Sequence, residues 1–485
     1  MSQPELLTVP HDYASALEML YARINYEKTC LAAYDTQNFR LDRMRELLAQ
    51  LGQPHLTYKI VHVAGTKGKG TTATLLYEAL RANGLRVGLY TSPHLVRLEE
   101  RIQFDGQECS PSELVILCQV TTEAAHRVEA DGFGRCTFFE LTTAMGLLHF
   151  ARRSAECVVL EVGLGGRLDS TNVCTPLLSI ITSISLDHQA QLGNTLTSIA
   201  AEKAGIIKRG IPVISTARAV EARMVIQRVA DQLNSVLLLI DRDFKVNWTT
   251  STSALNFKDR GFEPNTSLTE IDTVAEVEYI RLDQSKESCF SKSTWQTRML
   301  GRHQADNIAG VVAALQWLVD ETGWDLNLDR SRQAIAKSHP SARLEIIGSE
   351  PIQIIDTAHN PVSISAGLQA LDDHFKDRKR VIVFACSRDK DYRSMLQHIL
   401  PHCQRLICTA FQTNPRAVAA EHLANVIEEL MDPSKTSQDS RPLIEIASEP
   451  IVAWQRAIEQ CPRDGLVIAM GSFFLAAELF AHLEK

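Results

Sequence analysis

The chain has no apolar run approaching the roughly 18 residues that a membrane-spanning helix needs, so no such span is expected. It also lacks a basic arm or a Lys/Arg block. Fifty Lys and Arg stand against 58 Asp and Glu, a formal net charge of −8. That balance argues against a nucleic-acid partner or a membrane-surface role, although local basic clusters can still hold small anions. The 11 cysteines are odd in number, scattered, and without a C-x-x-C pair. They suit reduced thiols in a cytoplasm better than a disulfide framework or a zinc site. Met1-Ser2-Gln3-Pro4-Glu5 leads into no apolar core, so no secretory signal is expected. No internal repeat or low-complexity tract stands out.

What is present is a long, ordinary globular composition. The 485 residues are 45% apolar, enough for two to three domains with a large core. Short β-branched runs alternate with helical patterns. The first series of strands is expected at Lys59–Ala64, Arg86–Tyr90, Cys157–Glu161, Leu177–Ser183, Ile211–Ser215 and Val236–Ile240. A second is expected at Ile352–Asp356, Val381–Ala385, Leu406–Thr409, Leu443–Ile446 and Leu466–Met470. Helices between the members of each series predict an α/β fold with parallel sheets. Ser110-Pro111-Ser112-Glu113 and Thr137-Phe138-Phe139-Glu140 read as capping boxes, and Asn360-Pro361 as a helix start after a strand. The polar stretch from Asp241 to Ser293 breaks the rhythm. It reads as a β-excursion with strand pieces near Phe244–Trp248 and Val277–Leu282 and a loop at Pro264–Ser267. Asp432–Arg441 reads as a polar surface loop. The domain boundary is expected near Arg298–Gly301, giving bodies of 1–298 and 299–485, with an active site in the cleft between them.

The segment richest in chemistry is Ile60-Val61-His62-Val63-Ala64-Gly65-Thr66-Lys67-Gly68-Lys69-Gly70-Thr71-Thr72. An apolar run stops at a glycine-dense loop, and a helical pattern follows. Glycines let backbone N–H groups wrap a phosphate, Lys69 can reach the outer phosphates, and a Thr hydroxyl can support a metal. The pattern G-x-x-x-x-G-K-S/T would place Gly at Val63 and Ser or Thr at Gly70, so a compact G-T-x-G-K-G-T variant describes it better. An ordinary glycine turn between strand and helix is the competing reading.

Further blocks occur in order: Tyr90-Thr91-Ser92-Pro93-His94-Leu95, then Glu161-Val162-Gly163-Leu164-Gly165-Gly166-Arg167-Leu168-Asp169. Leu186-Asp187-His188 and Glu202-Lys203-Ala204-Gly205-Ile206-Ile207-Lys208 come next. Gly301-Arg302-His303-Gln304 with Asn307, and Asp356-Thr357-Ala358-His359-Asn360-Pro361, complete the set. Together these blocks resemble the folylpolyglutamate synthases, ATP-dependent amide-forming ligases of the Mur-ligase-like family. The resemblance implies a P-loop ATPase-like Mur-ligase central domain followed by a Rossmann-like Mur-ligase C-terminal domain. It implies addition of L-glutamate to folates through an acyl phosphate, and favours dihydrofolate synthase activity on dihydropteroate as well. A related Mur-type ligase acting on another carboxylate is the alternative.

The resemblance also assigns roles. Gly65, Thr66, Lys67, Gly68, Lys69, Gly70 and Thr71 would bind nucleotide, joined by Arg302, Asn307, Asp356 and His359. Ser92, Glu161, His188 and Lys203 would hold metal, with two Mg²⁺ ions and room for a monovalent cation. Lys69, Lys203 and His188 would carry the chemistry, with Lys203 carbamylated by CO₂. Thr137, Phe139 and Asp169 would contact the pterin. Residue chemistry alone leaves bland readings open: Glu161 as a strand-end surface carboxylate, Lys203 as a solvated helix lysine, Phe138 and Phe139 as core. The partners implied are small molecules only (ATP, L-glutamate, folate or dihydropteroate), on a cytoplasmic monomer. Two departures stand out. Position 357 is Thr where family members often have Gly, and the usual W-P-G-R-L-E run appears as Pro340-Ser341-Ala342-Arg343-Leu344-Glu345. Arg388-Asp389-Lys390-Asp391-Tyr392 resembles the family's D-K-D loop, here preceded by Ala385-Cys386-Ser387.

Overall fold

The computed structural model describes residues 10–25, 39–250, 274–283, 289–431 and 441–483. The expected loops at Pro264–Ser267 and, but for Arg441, at Asp432–Arg441 lie outside them. The chain is α/β, as its alternation predicts, and forms two compact units. The first comprises 1–246, 279–293 and 306–335; the second comprises 247–278, 294–305 and 336–485. Among the described residues no helix is long and apolar enough to cross a membrane.

The first unit is built on an eight-stranded sheet. Its strands are β1 (Lys59–Ala64), β2 (Val87–Tyr90), β3 (Ile102–Phe104), β4 (Gln107–Glu108), β5 (Cys157–Glu161), β6 (Leu178–Ile181), β7 (Val213–Ser215) and β8 (Leu237–Leu239). They lie in the order β4-β3-β2-β5-β1-β6-β7-β8. Six strands are parallel; β3 and β4 add an antiparallel edge. That edge hairpin turns at Asp105-Gly106, where φ is 49° and 86°. Asp-Gly is the pair such a turn favours, so a sequence signal for it existed. β1 and β5 are buried on both faces, which is why they read as mostly apolar runs, interrupted in β1 only by the buried His62.

Register places the functional loops. Val63 pairs with Glu161, Ala64 with Ile181, and Tyr90 with Leu160. The loops leaving β2, β5, β1 and β6 therefore line one carboxyl edge of the sheet in that order, where α/β sheets bind ligands. Helices cover the sheet. Pro111–Ala130 and Phe138–Arg152 start at the expected capping boxes, with Ser110 and Thr137 as N-caps. Both bury one face in the core around Phe138, Leu141, Met145 and Leu117.

The excursion is a three-stranded sheet, β9 (Phe244–Thr250), β10 (Ala275–Arg281) and β11 (Lys292–Thr297), in the order β11-β10-β9. Two of its strands were expected; β11 was not. The second unit carries a six-stranded sheet of β12 (Glu345–Ser349), β13 (Ile352–Ile355), β14 (Arg380–Phe384), β15 (Arg405–Cys408), β16 (Leu443–Ile446) and β17 (Leu466–Met470). The order is β12-β13-β17-β14-β15-β16, parallel except for β12.

Candidate active site

The glycine-dense loop leaves β1 and enters the helix Lys69–Ala82, whose N-cap Gly68 sits at φ 85°. A left-handed N-cap is what a glycine allows cheaply. Space closes on the same residue: a Cβ on Gly68 would stand 2.1 Å from Asn307 Oδ1. On Gly65 it would stand 1.8 Å from Thr182 Oγ1. The loop is therefore squeezed between the buried Asn307 and the chain leaving β6. The helix start points unpaired N–H groups outward, a ready anion site. Lys69 is the first helical residue, and its Nζ lies 3.4 Å from the carbonyl of Thr66.

On the β5 side stands Glu161, 4% exposed. One of its oxygens accepts the Ser92 N–H at 3.0 Å. A Cβ on Gly70 would lie 3.5 Å from both Glu161 oxygens, an ordinary contact distance that sets position 70 directly beside this carboxylate. Ser92 Oγ is shut off from solvent and has no hydrogen-bond partner among the described residues, and the same holds for Ser185 Oγ. A carboxylate beside an orphaned hydroxyl is an oxygen donor set, which suits Mg²⁺. Among the described residues no three His, Cys, Asp or Glu side chains gather to hold a metal. Any ion here would thus complete its shell with hydroxyl, phosphate and water oxygens, as Mg²⁺ commonly does.

On the β6 side the chain 182–188 runs back along the loop. Thr66 N–H donates to the carbonyl of Ser183 at 2.7 Å, and Thr182 and Ser183 hydroxyls donate to the carbonyl of Lys67 at 2.7 and 3.1 Å. Lys67 Nζ pairs with Asp187 Oδ2 at 2.9 Å. His188 follows in a left-handed conformation, φ 50°. Lys203 lies in the last turn of the helix Leu196–Ala204, yet it is buried, 4% exposed. Its Nζ donates to the carbonyl of Gly65 at 2.8 Å. The solvated-lysine reading is thereby excluded. Burial, then the neighbouring Lys69 charge, push its pKa well below the usual 10.5. Buried amines of lowered pKa are the reactive kind.

Two of the expected pterin residues, Phe139 and Asp169, meet at the turn after β5. Phe138 is core, fully buried, and Tyr21 stacks on its ring at 5.5 Å. Phe139 is half-buried and lies flush on Gly163, where a Cβ would meet its ring at 2.4 Å. The pair that read alike in sequence thus divides. Thr137 caps the helix carrying both. Asp169 accepts from Leu164 N–H at 2.8 Å and Thr171 N–H at 3.0 Å, and from the Thr171 hydroxyl. These bonds hold the glycine-rich turn, and burial raises the Asp169 pKa. The sequence reading missed what stands behind it. His62 Nε2 lies 2.8 Å from Thr171 Oγ1, and Cys174 Sγ 3.7 Å from His62 Nδ1. With Thr171 donating to Asp169, the ring must donate through Nε2 and accept the thiol at Nδ1. Burial holds His62 neutral, with a pKa of about 3.

In the second unit Asp356 closes β13. Its oxygens accept Leu344 N–H at 2.8 Å and Ala358 N–H at 2.7 Å, and burial raises its pKa. His359 Nδ1 lies 2.8 Å from the carbonyl of Thr357. Asn360 then caps the helix Pro361–Phe375. Arg302 is exposed just before the helix His303–Thr322. Ala342 stands where the resembling family has Gly, and its φ is 54°. That left-handed backbone accounts for the family's glycine, and Ala tolerates it at a cost of about 1–2 kcal/mol.

A Mur ligase middle domain model matches residues 63–315, and a Mur ligase glutamate ligase domain model matches residues 342–473. The chain belongs to the Mur ligase family. Within it, the chain is 33% identical to the folylpolyglutamate synthase of Lacticaseibacillus casei over 411 residues, 84% of this chain and 90% of that one. It is 31% identical to the dihydrofolate synthase/folylpolyglutamate synthase of Bacillus subtilis over 394 residues, 80% and 84% of the two chains. The structure of E. coli FolC in complex with DHPP and ADP superposes with a TM-score of 0.77 at 25% identity, covering 98% of this chain and 99% of that one. The Mur ligase fold thus accounts for both sheets.

Proposed function

We propose that this Mur ligase adds L-glutamate to the carboxylate of a folate, and to dihydropteroate as a second acceptor, with ATP as the activating substrate. The observation that carries the reading is the buried frame of the phosphate loop: Glu161 with Ser92 on one side, Lys203 on the Gly65 carbonyl, Asn307 against Gly68. The folylpolyglutamate synthase and dihydrofolate synthase/folylpolyglutamate synthase relatives, and the DHPP and ADP of the E. coli complex, support the substrates.

A carboxylate is a poor electrophile, and transfer of the γ-phosphoryl group makes it an acyl phosphate that an amine can attack. Backbone N–H groups of Gly68, Lys69, Gly70 and Thr71 would cradle the phosphates, and Lys69 would neutralise charge that grows during transfer. Gly65, Thr66 and Lys67 fix the loop. Glu161 and Ser92 would hold one Mg²⁺, with His188 beside them; bound Mg²⁺ supplies neutralisation of phosphate oxygens. The lowered pKa of Lys203 favours its neutral amine, the form that attacks CO₂. A new N–C bond forms, a proton leaves the nitrogen, and the carbamate is an anion able to hold a second ion. The same oxygen-rich edge can take a monovalent cation. Phe139 would stack on the pterin, Thr137 sets the helix that presents it, and Asp169 shapes the facing turn. Arg302, Asn307, Asp356 and His359 would contact nucleotide and the incoming glutamate. Along the chain we assign residues 1–298 to the ATP-binding part and 299–485 to the glutamate-ligase part, although 306–335 packs in the first compact unit and 247–278 in the second.

The test is a coupled assay of the purified chain with ATP, L-glutamate and either tetrahydrofolate or dihydropteroate. ADP release that needs both acceptor and glutamate, with a glutamylated product by mass spectrometry, is expected. ADP release without an acceptor, or only with a non-pterin carboxylate, would overturn the reading.

A further inference from the structure

Lys67 lies inside the phosphate loop, and its side chain turns to the chain beyond β6. Its ammonium meets Asp187 Oδ2 at 2.9 Å, and that carboxylate is 5% exposed. The other oxygen, Oδ1, accepts the N–H of His188 at 2.9 Å. His188 holds φ 50°, ψ 40°, a left-handed conformation that is uncommon outside glycine and that His, like Asn and Asp, adopts more readily than most residues. Its carbonyl accepts the N–H groups of Gln191 and Leu192 at 2.9 and 2.8 Å. Backbone ties join the same two segments. Lys67 bridges Ser183, and its carbonyl accepts two hydroxyls from 182–183. Thr66 Oγ1 exchanges bonds with the backbone of Ser185 at 3.1 and 3.2 Å.

We propose that Lys67 is a positioning residue. It neutralises Asp187, Asp187 pins the His188 peptide in its left-handed turn, and the pair fixes His188 relative to the phosphate loop. Lys67 acts on the metal edge through this relay and not by touching phosphate. The inference rests on the functional reading above for what His188 does, not for the relay itself. The physical basis is the buried carboxylate. Removing one partner of a buried pair leaves the other charge uncompensated, so Asp187 without Lys67 would turn toward solvent and release the His188 N–H.

The experiment compares Lys67→Met, Asp187→Asn, the double variant and Lys67→Arg in the full chain. Amide exchange of 184–193 is followed by mass spectrometry without nucleotide or Mg²⁺, and the Mg²⁺ and ATP dependences of turnover are measured separately. Both single variants are expected to speed exchange at 189–193 about tenfold or more, with the double variant no worse than either single. The Mg²⁺ requirement should rise about tenfold, the size seen when a group behind a metal ligand is lost. The KM for ATP should move less than threefold, and Lys67→Arg should restore protection because it keeps the charge. A Lys67→Met chain with unchanged exchange, or with a tenfold higher KM for ATP while Asp187→Asn is silent, overturns the relay and makes Lys67 a phosphate ligand. His188→Ala separates the two layers. If it leaves the Mg²⁺ dependence unchanged while Lys67→Met still loosens the turn, the relay stands and the metal role of His188 falls.

Discussion

Replacing Ser92 by Ala should strengthen the free protein and weaken the enzyme. The Ser92 hydroxyl is closed to solvent without a hydrogen-bond partner among the described residues, beside the Glu161 carboxylate that its own N–H contacts. A buried hydroxyl left unpaired costs about 1–3 kcal/mol, and Ala removes it with little change of shape. The backbone bond to Glu161 survives, since it uses the peptide N–H. A gain of about 1 kcal/mol is expected without ligand. For a body of more than 250 residues that is a rise of roughly 2 °C in its unfolding midpoint. With Mg²⁺ and nucleotide the sign reverses. A hydroxyl that contacts a charged group contributes about 1.5–3 kcal/mol, so the Mg²⁺ requirement should rise about 10- to 100-fold. Differential scanning calorimetry with and without Mg-ADP reads the first effect, and turnover against Mg²⁺ concentration reads the second. A purely structural serine would lose stability and leave the Mg²⁺ dependence alone. A midpoint lowered by more than about 2 °C in the free chain, with unchanged Mg²⁺ dependence, would refute the reasoning.

Lys69→Ala should abolish turnover while circular dichroism shows the fold intact; near-normal kcat would remove it from the phosphate loop's chemistry. Glu161→Gln and His188→Ala should each raise the Mg²⁺ requirement, and together fall short of the sum of their effects, if both shape the one metal site proposed for them. Simple additivity would separate them. Gly65→Ala should cost about 1–3 kcal/mol and remove the thermal shift given by ADP, since the new methyl would overlap the buried Thr182 hydroxyl. The amine of Lys203 has its folded pKa lowered, chiefly by burial. The unfolded chain therefore binds a proton that the native one lacks, and stability rises with pH between that lowered value and the ordinary lysine value of 10.5. The slope contributed is at most about 1.4 kcal/mol per pH unit, and Lys203→Met should flatten it in chemical denaturation. An unchanged slope would show that Lys203 stays protonated in the fold.

The sheet strands were legible because burial on both faces leaves a signature that needs no partner to be read. Lys59–Ala64 and Cys157–Glu161 appear with their expected ends. Parallel pairing then aligns Glu161 with Val63 automatically, so the order of motifs along the chain already implied neighbours in space. Side chains whose role depends on which way they turn were not legible. Lys203 shares its local pattern with any solvated helix lysine, and only the packing of its helix on the Gly65 carbonyl makes it a buried amine. Phe138 and Phe139 differ by one position, yet about 100° of helical rotation sends one ring into the core and the other against Gly163. Asp187 is the sharpest case. It stands between an apolar residue and a histidine that attracts the eye, and nothing in Leu186-Asp187-His188 says that it answers to Lys67, 120 residues earlier. A motif read one block at a time assigns each charge to the ligand. A buried pair between two blocks assigns the charges to each other. The glycine-dense loop of this chain carries two lysines in different settings: Lys69 opens a helix, where the proposed function has it meet phosphate, and Lys67 answers a carboxylate that the protein itself supplies.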